Sequence, residues 1–218
     1  MVQKQPTRPR GRPREYDPDR ALVRATESFW RAGFSGTSLD DLSAATGMNR
    51  PSLYGAFGDK RELYLATLER YVETARADMA AALSDELPLA LGVQRVYSGA
   101  LDLYFASPET PLGCFLIGTA ATEAACDSQV RATLGSGLRE LTRAFERRFR
   151  SAREVGELAA DADPALLAEL AGAVLHSLAL RSRAGDPRPA LEAFARGAVR
   201  FLCGPTLGKR PKSRRRPR

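Results

Sequence analysis

The chain is poor in the residues from which most enzyme and metal sites are built. Of 218 residues, one is histidine and three are cysteine. No CxxC or HxxxH spacing occurs, so neither a zinc site nor a disulfide framework is expected. No acid/base pair, nucleophile triad, phosphate loop or metal cluster can be assembled around the single His176, which argues against an enzyme and calls for no cofactor. No stretch of about eighteen apolar residues is present, so no membrane span is predicted. The N-terminus is charged but lacks the apolar core of a secretory signal, and a reducing cytoplasm fits best. β-branched residues are few, while Ala, Leu, Arg and Glu are abundant; an all-α fold without strands is expected.

Acidic residues are missing from both ends. Residues 1–14 hold Lys4, Arg8, Arg10, Arg12 and Arg14 and no acid, and residues 209–218 hold seven basic residues and no acid. The net charge is only +7, so the body between is mildly acidic. Basic tails of this kind seek polyanions. The expected division is a basic disordered arm (1–16), a helical body (17–204) and a basic disordered tail (205–218).

The most informative stretch is Thr37–Lys60, TSLDDLSAATGMNRPSLYGAFGDK. Ser38 can cap a first helix, with Asp41 as an acidic partner in its first turn. Gly47 can take the left-handed conformation of a sharp turn. Asn49 can cap a second helix, with Pro51 in its first turn. Leu42, Met48, Leu53 and Phe57 are spaced to fill the contact between two helices too short to stand alone. This is helix-turn-helix spacing, which offers its second helix to a DNA major groove.

Asp17-Pro18 predicts the start of a preceding helix that runs to about Ala32, with Gly33 as its stop and Phe34 folding back onto the core. A long fourth helix from Lys60 to about Ser84 follows from apolar residues recurring every three or four positions. A fifth is expected from about Leu89 to Ala106, a buried sixth from Cys114 to Ala125, and a seventh from Gln129 to about Arg153 with a charged face. Asp163-Pro164 and Asp186-Pro187 open an eighth and a ninth.

These residues resemble the TetR family of bacterial transcription regulators. The family pattern is matched at Thr37-Ser38, Leu42-Ser43, Thr46-Gly47-Met48-Asn49, Pro51, Leu53-Tyr54, Phe57 and Lys60, with Phe29 and Gly33-Phe34 before it. Ser43 and Thr46 replace two usual alanines, and Ala56 replaces the usual aromatic or histidine. The resemblance is specific over about Asp17–Leu68. It implies an all-α homodimer in which the first three helices form a helix-turn-helix DNA-binding domain (17–62) and the remaining helices a ligand-binding and dimerisation domain (63–204). It also implies a repressor that a small-molecule effector releases.

Arg50, at the start of the reading helix, is expected to bond guanine O6 and N7, or failing that a phosphate. Pro51 shares its turn, and Ser52 and Tyr54 are expected to meet phosphate or a base edge. The matching family positions suggest phosphate contacts for Thr37 and Lys60. In Pro9-Arg10-Gly11-Arg12-Pro13, the Arg-Gly-Arg-Pro sequence resembles an AT-hook core, which would carry Arg10 and Arg12 into a narrow minor groove. The bland alternative is a tail held near phosphate by charge.

Candidate linings of a sensing pocket are Tyr97, Tyr104, Phe105, Cys114, Phe115, Thr119, Glu123 and His176, which combine apolar surface with a few polar groups. Each can equally be plain core or surface. Cys114 reads first as a small buried apolar residue. The alternative is a thiol activated by a helix N-terminus, since some TetR-like regulators sense electrophiles or oxidants through a cysteine near this place. The eighth and ninth helices carry apolar stripes suited to a two-fold, four-helix dimer interface, which would demand a roughly palindromic operator. A non-sensing architectural protein that relies on the arm is the main rival.

Overall fold

The computed structural model describes residues 17–107 and 110–204. Every regular element among them is helical: α1 (Pro18–Gly36), α2 (Leu39–Thr46), α3 (Arg50–Phe57), α4 (Lys60–Ala82), α5 (Leu89–Tyr104), a π-helical turn (Leu116–Ala120) leading into a short α6 (Ala121–Glu123), α7 (Ser128–Glu154), α8 (Pro164–Arg183) and α9 (Arg188–Cys203).

Local chemistry sets most of the boundaries. The Asp17 side chain accepts the N–H groups of Asp19 and Arg20 at the head of α1, with Pro18 as the first helical residue. Asp163 and Pro164 repeat the device at α8. At α9 the expectation fails in detail: Pro187 occupies the cap position, and Asp186 instead accepts a hydrogen bond from Arg181 at 2.7 Å. α1 breaks at Gly33 (φ 74°, ψ 176°) as expected, but Phe34–Gly36 add one more turn beyond the kink. That turn lays Phe34 against Phe29 and Tyr64.

The sixth helix differs most from expectation. Cys114 lies before it, the chain then makes a widened π turn, and only Ala121–Glu123 are α-helical. The Thr119 hydroxyl donates back to the Phe115 carbonyl at 2.8 Å within this turn. Phe115, Leu116, Thr119 and Ala120 are buried, whereas Ala121, Thr122 and Ala125 are exposed. Small residues on every side permit full burial without requiring it.

α1, α2 and α3 close around Ala25, Phe29, Leu42, Met48 and Leu53. α4 starts against this unit and continues into a bundle in which α7 packs along α4 and α8, and α9 packs on α5 and α8. The α4–α7 contact is unusually close: a Cβ at Gly137 would lie 2.8 Å from Val72 Cγ2. An aromatic joint made of Phe29, Trp30, Phe34, Tyr64, Tyr71 and Phe115 ties α1, α4 and the π turn together. Elsewhere in the bundle, Arg148 of α7 is only 4% exposed. It donates to the Leu87 carbonyl at 2.7 Å and to Glu157 at 2.6 Å, and Glu157 also accepts the Leu89 N–H at 3.3 Å. One buried guanidinium thus fastens the α4–α5 connection to the segment after α7.

Candidate nucleic-acid interface and sensing cavity

The helix-turn-helix is assembled by its caps. The Ser38 hydroxyl accepts the Asp41 N–H at 3.1 Å, and the Asp41 carboxylate accepts the Ser38 N–H at 2.8 Å, completing a capping box. The bonds from the Ser38 hydroxyl and backbone hold the Asp41 carboxyl below its ordinary pKa. Gly47 makes the turn at φ 72°, and Asn49 accepts the Ser52 N–H at 2.9 Å to start α3. Leu42, Met48 and Leu53 are buried between the two helices, and Phe57 is half-buried beside them.

This scaffold leaves Arg50, Pro51 and Tyr54 exposed on α3 and Ser52 half-buried. Tyr54 faces outward, at 48% exposure. Arg50 is held by Asp40 of α2: Nε donates to Oδ1 at 3.1 Å, and Nη2 donates to Oδ1 and Oδ2, both at 2.8 Å. Lys60 is half-buried, with Nζ 4.4 Å from the centroid of the Phe34 ring. Thr37 departs from expectation. It is 2% exposed, and its hydroxyl donates to the Gly33 carbonyl at 2.7 Å. That hydroxyl closes the kinked end of α1, so the side chain is a packing element rather than a phosphate donor. Arg10 and Arg12 lie outside the described residues, as does the basic C-terminal tail.

A cavity of 430 Å³ opens in the bundle. α4 supplies Tyr71, Ala75, Asp78, Met79 and Ala82, α5 supplies Val96, Ala100, Leu103 and Tyr104 among others, and Cys114, Leu141 and Leu175 complete the wall. Of the candidate residues, Tyr104 and Cys114 are in this wall. The other candidates are not in this wall. Tyr97 is fully buried in the core and donates to the Ala171 carbonyl at 3.2 Å. Phe115 belongs to the aromatic joint. Thr119 accepts the Tyr64 hydroxyl at 3.0 Å. Glu123 accepts from Ser35 at 3.3 Å. Phe105 is half-buried beside the core. His176 is half-buried on α8, where burial pushes its imidazole pKa down against the opposing pull of Glu169. Tyr71 was not among the expected lining residues. Its signal was present, because 71, 75, 78, 79 and 82 fall on one face of a 3.6-residue helix.

Inside the cavity, Tyr71 donates its hydroxyl to Cys114 Sγ at 3.4 Å. Burial pushes the Cys114 thiol pKa up, outweighing the bonds from Tyr71 and the Ile117 and Leu116 N–H groups that favour a thiolate. Desolvation thus opposes the alternative of a thiol activated at a helix N-terminus and accords with the first reading of Cys114 as a small buried residue. Burial likewise pushes the Tyr71 and Tyr104 hydroxyls well above their ordinary value. The cavity presents the neutral Tyr71, Tyr104 and Cys114 groups in a mainly apolar wall that also holds Asp78, Arg95 and Asp102.

Two features connect the cavity to the reader and to the outer surface. At the head of α4, Arg61 donates to Asp127, which also caps α7 by accepting the Gln129 and Val130 N–H groups. On the outer face of α8 and α9, Leu166, Leu170, Leu180, Phe194 and Phe201 are exposed, and Phe201 reaches 76%. An open apolar groove of 500 Å³ runs between Leu170, Val174, Phe194, Ala198 and Phe201.

Comparison with known proteins places this architecture. Residues 21–67 match the family of bacterial regulatory proteins of the tetR type, and residues 93–198 match the tetracyclin repressor-like C-terminal domain. The HTH-type transcriptional repressor ComR of Escherichia coli (strain K12) is 32% identical over 176 residues, which is 81% of this chain and 84% of that protein. The transcriptional regulator AcuR of Cereibacter sphaeroides is 30% identical over 164 residues, 74% of each chain. A cysteine variant of the TetR family regulator CifR, solved on 26-base-pair operator DNA, is 35% identical with a TM-score of 0.74 and covers 87% of this chain and 98% of its own. The capped helix-turn-helix, the helical bundle behind it and these relatives together establish that the chain belongs to the TetR family of DNA-binding transcriptional regulators.

Proposed function

We propose that two copies of this chain pair through α8 and α9, set their recognition helices on a two-fold symmetric operator, and repress transcription until a small effector enters the cavity. The observation that carries the effector half is the course of α4. Its first turn sets Lys60 over Phe34 of the reader and ties Arg61 to Asp127 at the head of α7, and its later turns form one wall of the cavity. A ligand that prefers one tilt of α4 therefore changes the spacing of the two α3 helices. The cavity wall suits a small, largely apolar molecule with one or two acceptors for the Tyr71, Tyr104 or Cys114 groups. The pairing half is supported by the apolar face of α8 and α9, which a monomer would leave in water. Repression follows the role that ComR carries in its name. Within each half-site, Arg50 reads a base, Ser52 and Tyr54 meet phosphate or a base edge beside Pro51, and Lys60 meets phosphate. Arg10 and Arg12 enter an adjacent minor groove.

The test is selection from randomised duplexes with purified protein, followed by a screen of small molecules for release. A palindromic site, a dimer in sedimentation at binding concentrations, and release by an apolar compound are the expected results. A single half-site bound by a monomer would overturn the pairing. Deleting residues 1–14 should remove only part of the operator affinity; loss of nearly all of it would favour an architectural protein instead.

A second reading has one observation in its favour: Cys114 Sγ lies in the cavity wall. In that reading the effector is an electrophile captured by the thiol. The raised thiol pKa makes this capture slow at neutral pH, so non-covalent binding is the first reading.

A further inference from the structure

We propose that Asp40 is a specificity-determining residue of the DNA reader, holding the Arg50 guanidinium by one edge so that its other edge is presented to a guanine. This role rests on the assignment of Arg50 as the base-reading residue. A guanidinium has five N–H groups arranged as a planar fork. Asp40 takes the side-on edge: Nε donates to Oδ1 at 3.1 Å, and Nη2 lies 2.8 Å from both Oδ1 and Oδ2, two atoms of one carboxylate close enough together to share a single Nη2 hydrogen. One Nη1 hydrogen and the second Nη2 hydrogen form the end-on edge, whose spacing matches guanine O6 and N7. The bond to Asp40 uses the edge that guanine recognition does not need.

The pair links two helices. Asp40 stands in the first turn of α2, and Arg50 opens α3 ten residues later. Both side chains are open to solvent, at 54% for Arg50 and 76% for Asp40, so the pair contributes little to folding. Its consequence lies on DNA. A free arginine at a helix N-terminus has many rotamers and would settle on the nearest phosphate, a contact without sequence information. Held by Asp40, it loses that freedom before binding. If it still swings to a phosphate, it leaves an unpaired carboxylate beside a polyanion, so the uninformative contact is disfavoured. Asp40 thereby trades general affinity for discrimination.

The experiment is duplex selection and salt-dependent binding for the wild type, Asp40→Ala, Arg50→Ala and the double variant, each checked for helix content. For Asp40→Ala, the preference at one symmetric base position should fall by about fivefold or more. Binding to unrelated duplex should tighten, and the slope of log affinity against log salt should steepen by about 0.9 per half-site as Arg50 moves to phosphate. In the Arg50→Ala background, removing Asp40 should leave base preference unchanged. If Arg50→Ala relaxes one position but Asp40→Ala relaxes none, Arg50 still reads a base and the role of Asp40 is overturned. That role is equally overturned if Asp40→Ala tightens every sequence alike in both backgrounds, because the carboxylate would then be mere repulsion. If Arg50→Ala itself alters no base preference, the assignment of Arg50 fails and the role of Asp40 falls with it.

Discussion

Arg148 in the bundle and Arg50 on the reader use the same fork on the same kind of partner, with opposite results. Arg148 is buried, and its bonds to Leu87 and Glu157 fasten segments that would otherwise separate. Arg50 is exposed, and its bond to Asp40 competes with water and can be exchanged for DNA. Between them stands Arg61–Asp127, half-buried at the junction of reader and bundle. Depth alone sorts the three pairs into a fastening, a hinge contact and a replaceable hold. A buried charge without its partner has nowhere to go, whereas an exposed one is solvated.

The largest way to break this ordering is at the buried end. Glu157→Ala leaves the buried Arg148 guanidinium with only the Asp85 carboxylate, 3.7 Å from Nε, and should cost about 3 kcal/mol. For a chain of this size that lowers Tm by roughly 6–12 °C, read by thermal unfolding; an unchanged Tm would remove Arg148 from the fastening role. The junction pair should show itself in acid. Arg61, followed by the Val130 N–H, holds the Asp127 carboxyl well below the usual carboxylate range. A depressed folded pKa gives stability that is complete above the unfolded value of about 4 and lost as pH falls toward the folded one. Tm should therefore be insensitive to this group from pH 5 to 8 and should drop more steeply below pH 4 in the wild type than in Asp127→Asn. Parallel acid limbs would show that the pair does not form in solution. The smallest stability effect belongs to the exposed end, where Asp40→Ala should change unfolding free energy by no more than about 1 kcal/mol.

The cysteines repeat the comparison in chemical form. Cys126 is exposed, while Cys114 and Cys203 are buried, with burial pushing Cys203 up to about 12. Alkylation at neutral pH followed by mass spectrometry should label Cys126 well before the other two. Labelling of Cys114 first would revive the electrophile-sensing reading.

The reader was legible in the sequence almost residue by residue, because its determinants are local. Ser38, Asp41, Gly47 and Asn49 act on N–H groups and dihedrals within four positions of themselves, and Leu42, Met48 and Leu53 are spaced to pack the two helices together. The cavity was legible only in part. Tyr104 and Cys114 lie in its wall, whereas Tyr97, Phe115 and Thr119, of the same character, are buried outside it.

Helix order, the capped reader and the apolar faces of α8 and α9 follow from residue type and period alone. Tertiary structure decided what those patterns cannot encode. Thr37 became a packing hydroxyl because the kink at Gly33 turned a carbonyl toward it. Cys114 kept a neutral thiol because desolvation outweighed its N–H partners. Tyr71 joined the cavity because the bundle turns its face of α4 toward Cys114, distant in sequence. Arg50 acquired Asp40 because the turn at Gly47 folds α3 back onto the first turn of α2. Each depends on groups distant in sequence meeting at a particular depth, and depth sets the strength of every charge and hydrogen bond involved.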